Sequence, residues 1–174
     1  MKRKLILYIS MSLDGYIAKL NDDLQFLELV EKEGEDYGYE NFISTVDTII
    51  IGRKTFDWIV GQVDFPYSDK ITYVISQSPK LDSQDKIYYA NDLISLVVKL
   101  KAEAGKNIFC VGGAEIINTL LVENLIDEMI ISIIPIVLGD GIKLFKSEIP
   151  EQKINLLSTK KFDTGLVQLH YECI

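Results

Sequence analysis

The sequence predicts an α/β protein: a mostly parallel central sheet, helices on both faces, and antiparallel strands at its C-terminal edge. Three observations predict it. Short apolar runs bounded by turn residues alternate with segments of helical period over residues 4–134. Glycines close two of those runs, Gly52 after one and Gly112-Gly113 after another. The tail reads instead as two strands joined by Asp163-Thr164-Gly165, a hairpin by its turn residues.

The elements follow in order. Residues 4–10 make the first strand, and Asp14-Gly15 marks the turn after it. Over 24–32, Phe26, Leu27 and Val30 recur at helical spacing. A polar stretch follows over 33–39, with a short helix starting near Asp36. The second strand covers 48–51, a short helix 55–60, and the third and fourth strands 71–75 and 87–89. In the clearest helix Leu93, Leu96, Val97, Leu100 and Ala104 share a face; Asn91 or Asp92 caps its start and Gly105 ends it. A buried strand over 108–111 leads through the paired glycines into a helix whose Ile116, Ile117, Leu120 and Leu121 face inward. Residues 128–134 form another strand, within an apolar run to 138 that reads as buried. The tail strands cover 157–162 and 166–173, with His170 on the outward side of the alternation.

Composition bounds the function. A chain of 174 residues, 48% hydrophobic, is expected to form one domain over 1–174. The net charge is −8 and the arginines are two, Arg3 and Arg53, so no basic surface for nucleic acid is expected. A local pocket for a small anion is still compatible with that balance. The apolar run 129–138 is half the roughly 20 residues a membrane span needs. The basic opening, Met1-Lys2-Arg3-Lys4, is followed by a short apolar run rather than a secretory core, so a cytoplasmic protein is expected. Cys110 and Cys173 read as reduced, buried thiols. With His170 the single histidine, no metal site is expected.

Chemistry is expected at strand carboxyl ends, where open α/β sheets bind ligands. Three such ends are unusual. Gly52-Arg53-Lys54-Thr55 sets two cations and a hydroxyl at a helix start, which suits a phosphate; it equally fits a plain turn with solvated charges. Gly112-Gly113-Ala114-Glu115 offers bare backbone amides suited to a pyrophosphate, though a tight turn reads the same way and the spacing is not the Rossmann fingerprint. Ser76-Gln77-Ser78 is compact and polar after a buried strand.

In this order the three segments resemble the dihydrofolate reductase superfamily, and within it the RibD C-terminal reductase domain of the bifunctional riboflavin deaminase–reductases. Further matches are 12–18 (Ser-Leu-Asp-Gly-Tyr-Ile-Ala), 125–128 (Leu-Ile-Asp-Glu) and, most specific, 135–141 (Pro-Ile-Val-Leu-Gly-Asp-Gly). The resemblance implies a three-layer dihydrofolate-reductase-like fold. It implies NADPH as cofactor, with Ile17, Gly52, Arg53, Lys54, Thr55, Ser76 and Gln77 around its adenosine and 2′-phosphate side. Gly112, Gly113, Ala114 and Glu115 would lie under the diphosphate, with a cis peptide between the glycines. It also implies a homodimer.

The implied reaction is hydride transfer to a C=N or C=O carbon of a small heterocyclic or sugar-linked substrate, as in 5-amino-6-(5-phosphoribosylamino)uracil reductase of riboflavin biosynthesis. Asp36 and Asp14 are the candidate catalytic carboxylates, and Tyr37, Phe56 and Trp58 the candidate walls for a flat ring. Two departures matter. The zinc deaminase motif is absent from the sequence. The arginine that clamps the riboflavin enzymes' sugar phosphate, on the helix before the second strand, is replaced by Phe42 and Ile43. A dihydrofolate reductase and a non-catalytic NADPH-binding module are the competing readings.

Overall fold

The computed structural model describes residues 2–78, 85–147 and 149–174. In chain order the elements are β1 (Leu5–Ser12), β2 (Tyr16–Ala18), α1 (Tyr39–Ser44), β3 (Val46–Gly52), α2 (Arg53–Gln62), β4 (Ile71–Ile75), β5 (Ile87–Ala90), α3 (Leu93–Ala102), β6 (Asn107–Gly112), α4 (Ala114–Val122), β7 (Glu128–Ile134), β8 (Ile142–Lys143), β9 (Ile154–Lys161) and β10 (Val167–Cys173). Eight strands form one sheet in the order β5-β4-β3-β6-β1-β7-β10-β9. The first six in that order run parallel, and β10 and β9 close the edge antiparallel. This is the fold class the sequence predicts.

Alternation along β1 separates the two faces. Leu5 and Leu7 pack with Ile108, Cys110, Met129 and Ile131 under α3 and α4. Ile6 packs with Ile49, Ile51, Val74 and Phe109 under Phe42 of α1 and Phe56 of α2. Strands buried on both faces must be apolar nearly throughout, and β3 and β7 read that way. No helix among the described residues is long and apolar enough to cross a membrane.

Several expectations need correction. The helical period near Phe26 forms a 3₁₀ helix, Gln25–Val30, closed by a Glu31 amide bond to the Glu28 carbonyl. The next helix starts at Tyr39 because Tyr37 and Gly38 adopt positive φ, and a helix cannot run through them. α3 ends at Ala102, leaving Ala104 exposed outside it, while Asp92 caps its start by accepting from the Ser95 amide at 3.0 Å. The sheet strand stops at Ile134: Pro135 has no amide to donate, and Val137 is 65% exposed. His170 is half-buried, its Nε2 2.9 Å from Glu128, rather than turned to solvent. Cys173 is only half-buried; Cys110 is fully buried, its thiol pushed up to about 12 by desolvation.

Two clasps hold the frame. Arg3, 5% exposed, bonds the Lys106 carbonyl at 2.7 Å and the Thr48 hydroxyl at 2.7 Å, and pairs with Asp47. It ties together the amino ends of β1, β3 and β6. At the opposite end the Asp14 carboxylate accepts from the Ser12 hydroxyl at 2.6 Å and the Leu138 and Gly139 amides at 3.0 and 2.7 Å. β2 then pairs with β8, Tyr16 against Lys143 and Ala18 against Ile142. The two runs 12–18 and 135–141 are thus one structural unit.

Candidate active site

β4, β3 and β6 lie side by side and parallel, so their carboxyl ends open on one rim. Gly52 pairs with Ile75 on one side, and its neighbour Ile51 with Gly112 on the other. α2 starts on Gly52 and α4 on Gly113, and neither helix has a side-chain cap among the described residues. The first amides of both helices therefore remain open to an external acceptor. The two starts touch. A Cβ added to Gly52 would lie 3.1 Å from Ile116 Cγ1 and 3.5 Å from Gly113 N; one added to Gly113 would lie 3.1 Å from Thr55 Oγ1. Only glycine leaves that cradle empty. The Gly112–Gly113 peptide is cis, as the resemblance implies.

Most of the side chains named for a nucleotide follow these strand ends, Ile17 excepted. Arg53 is held by Asp57 at 2.5 Å and lies 5.6 Å from the centre of the Tyr89 ring, at the end of β5. Lys54 is exposed beside it, and Thr55 faces Gly113. Ser76 follows β4; its amide bonds the Ala90 carbonyl at 2.8 Å and its hydroxyl the Ser78 carbonyl, with Gln77 exposed between. Ala114 opens α4, Glu115 is engaged by Lys146, and Ile17 packs on the core from β2. Uncapped helix starts, a filled-by-nothing cradle and neighbouring cations fit a phosphate-bearing dinucleotide such as NADPH. Among the described residues no group of three or more His, Cys, Asp and Glu is arranged to hold a metal ion.

Beside this rim, on the sheet face that carries α1 and α2, lies a cavity of about 610 Å³. Tyr8, Ser10 and Ser132 form its floor, and Leu27, Val30, Tyr37, Tyr39 and Leu166 its walls. Ser10 and Ser132 belong to one register row: Ser10 pairs with Ser132, Ser132 with Gln168, and Gln168 with Lys160, while Tyr8 lies two residues before Ser10 on the same face. The Gln168 amide nitrogen, with two N–H groups, lies 3.0 Å from the Tyr8 hydroxyl, 3.2 Å from the Tyr37 carbonyl and 3.2 Å from the Ser132 hydroxyl, so two of these acceptors share one N–H. Tyr8 in turn donates to the Tyr37 carbonyl at 3.2 Å. Burial pushes the Tyr8 phenol up, and the charge of Asp36 adds to it. The rim carries Glu31, Glu33, Glu35 and Asp36 against Lys32.

The two carboxylates expected to be catalytic have other work. Asp36 lines the cavity mouth, but its oxygens accept the Gly38 and Glu40 amides at 2.8 Å and start α1. Those amides hold its carboxyl below the usual range, so near neutral pH it has no proton to give. Asp14 is held at about 2 by the Ser12 hydroxyl and the backbone amides of its clasp. Of the expected ring walls, Tyr37 lines the cavity, Phe56 is 6% exposed in the core against Phe65, and Trp58 is 43% exposed on α2. Neither Phe56 nor Trp58 borders the cavity, because the inward face of α2 is used for packing and Trp58 lies off it.

Sequence reasoning missed Tyr8, Ser10, Ser132, Tyr39 and Gln168. One signal was visible: Ser132 interrupts an otherwise apolar strand, and a buried hydroxyl needs a partner.

A family model described as the RibD C-terminal domain matches residues 3–168. The chain is 44% identical to the uncharacterized protein YwjB of Bacillus subtilis (strain 168), over 98% of each. It is 33% identical to YyaP of the same strain, also uncharacterized, over 98% of this chain and 95% of the relative. A crystal structure from Shewanella sp. PV-4, of a protein whose name ties it to riboflavin biosynthesis, superimposes with a TM-score of 0.88 at 30% identity, covering 98% and 99% of the two chains. A pyrimidine reductase-like protein from Corynebacterium diphtheriae NCTC shares the fold, at a TM-score of 0.70 and 14% identity over 99% and 92%.

Proposed function

The chain belongs to the RibD C-terminal domain family, and from that premise we propose that it is an NADPH-dependent reductase acting on a C=N or C=O carbon of a small heterocyclic or sugar-linked substrate. One observation carries the reading: two uncapped helix starts meet over Gly52 and Gly113 beside an aromatic-walled cavity with a polar floor.

The bound cofactor supplies the hydride. Gly52, Gly112 and Gly113 keep side chains away from its diphosphate, and the first amides of α2 and α4 face that charge. Arg53 and Lys54, with Thr55 and Ser76, take the 2′-phosphate. In the cavity Ser10 and Ser132 orient the substrate, and Tyr37 and Tyr39 wall its ring. Burial keeps the Tyr8 phenol neutral; its hydroxyl accepts from Gln168 and donates to the Tyr37 carbonyl, which fixes the floor in place.

The test is cofactor oxidation against a panel of pterins, aminouracil sugars and small carbonyl compounds. Turnover of an aminouracil or carbonyl compound supports the reading. Oxidation confined to dihydropterins would make the protein a dihydrofolate reductase instead. Tight NADPH binding with no oxidation on any compound would make it a binding module.

A further inference from the structure

The charge around the cavity narrows its ligand further, on the reading that this cavity is the substrate site. We propose that it takes a flat, uncharged or cationic heterocycle that carries no phosphate group.

The floor is neutral. Tyr8, Ser10 and Ser132 present hydroxyls, and the Gln168 amide beneath them braces Tyr8 and Ser132. Such groups read the N–H and C=O edges of a ring but bring no positive charge to balance a dianion. The lining segment 31–36 is negative, with Glu31, Glu33, Glu35 and Asp36 against Lys32. The lysines near it are fewer than these carboxylates: Lys32, 3.5 Å from Asp163, and Lys160, which a Cβ on Gly38 would meet at 3.7 Å and which acts on Asp36. Arg3 is buried in the clasp at the opposite strand ends, and Arg53 belongs to the nucleotide rim. At the place on α1 where a clamp would sit, Phe42 is buried in the core. A phosphomonoester carries a charge of about −1.5 to −2 at neutral pH, and here it would meet carboxylates with no guanidinium to receive it. A cationic or neutral ring meets the opposite field.

The test uses ribosylaminouracil with and without its 5′-phosphate. Binding is read from chemical-shift changes at the Tyr37, Tyr39 and Ser132 amides, with and without NADPH, and oxidation of NADPH is followed separately. The unphosphorylated compound should bind at least about tenfold more tightly. In a Glu31→Lys/Glu33→Lys variant, both side chains being exposed, that preference should shrink or reverse, with the thermal midpoint recorded to show that the variant folds. Tighter binding of the phosphate by the parent, or no shift at those amides with either compound, overturns the proposal. Oxidation driven by the phosphorylated compound alone would overturn it while leaving the reductase reading intact. Shifts from the unphosphorylated compound without any oxidation would do the reverse.

Discussion

Replacing Arg53 tests the cofactor reading where the structure is most specific. Its guanidinium is already paired with Asp57, whose side chain is 51% exposed, and it covers the Tyr89 ring. A charge-assisted bond to a 2′-phosphate contributes about 1.5–3 kcal/mol. An exposed ion pair of the Asp57 kind is worth about 0–1 kcal/mol, and the phosphate must displace or share it. The difference is about 0.5–3 kcal/mol, so Arg53→Ala should weaken NADPH roughly 2- to 150-fold while leaving NADH nearly unchanged. Asp57→Asn frees the guanidinium and should tighten NADPH by about 2- to 5-fold, within the range of one exposed pair. Isothermal titration of both cofactors against the parent and the two variants measures each value. Equal dissociation constants for NADH and NADPH in the parent, or equal losses for both in Arg53→Ala, would refute the reasoning.

Three other outcomes are expected. Gly52→Ala places a methyl against Ile116 and the Gly112–Gly113 backbone at an ordinary φ of −72°, so NADPH affinity should fall by more than the urea midpoint does; an unchanged affinity contradicts the cradle. The Asp14 carboxyl is held at about 2, below its unfolded value of about 3.9, so its contribution is present above about pH 4 and lost as pH falls toward about 2. The stability gap between the parent and Asp14→Asn, from urea melts, should close across that window; a constant gap counts against the clasp. Finally, a homodimer is proposed, with a light-scattering mass of twice 19.8 kDa, and a monomer mass at micromolar concentration would exclude it.

What was legible in the sequence was local. Ile71–Ile75 and Glu128–Ile134 carry their strand signal in their own composition, and Gly52 and Gly112-Gly113 mark where the chain must turn without side chains. The cavity was not legible because register builds it. Ser10, Ser132 and Gln168 become neighbours only once β1, β7 and β10 are aligned. The Asp14 clasp was hidden for the same reason: its partners, Leu138 and Gly139, lie 124 and 125 residues on. Asp36 and Phe56 were hidden differently: Asp36 lines the cavity while its oxygens also accept the Gly38 and Glu40 amides ahead of α1, and the phase of α2 turns Phe56 into the core. Spacing alone does not say which face of a short helix meets the sheet.

The place of β1 in the sheet has a consequence for how the protein is made. This strand lies in the middle of the sheet, and both its partners come about a hundred residues or more later in the chain: Leu5 pairs with Ile108, and Ile6 with Glu128. A nascent chain must therefore carry an apolar strand with two open edges for about a hundred residues of synthesis. Such topologies close slowly, since the loop entropy is lost before the pairing is gained. Fragments ending before β6 should be insoluble or chaperone-bound, and folding yield should depend more on β6 and β7 than on the β4 and β5 edge. The same delay means that the cavity floor, built across β1 and β7, comes into being only in the last stage of folding.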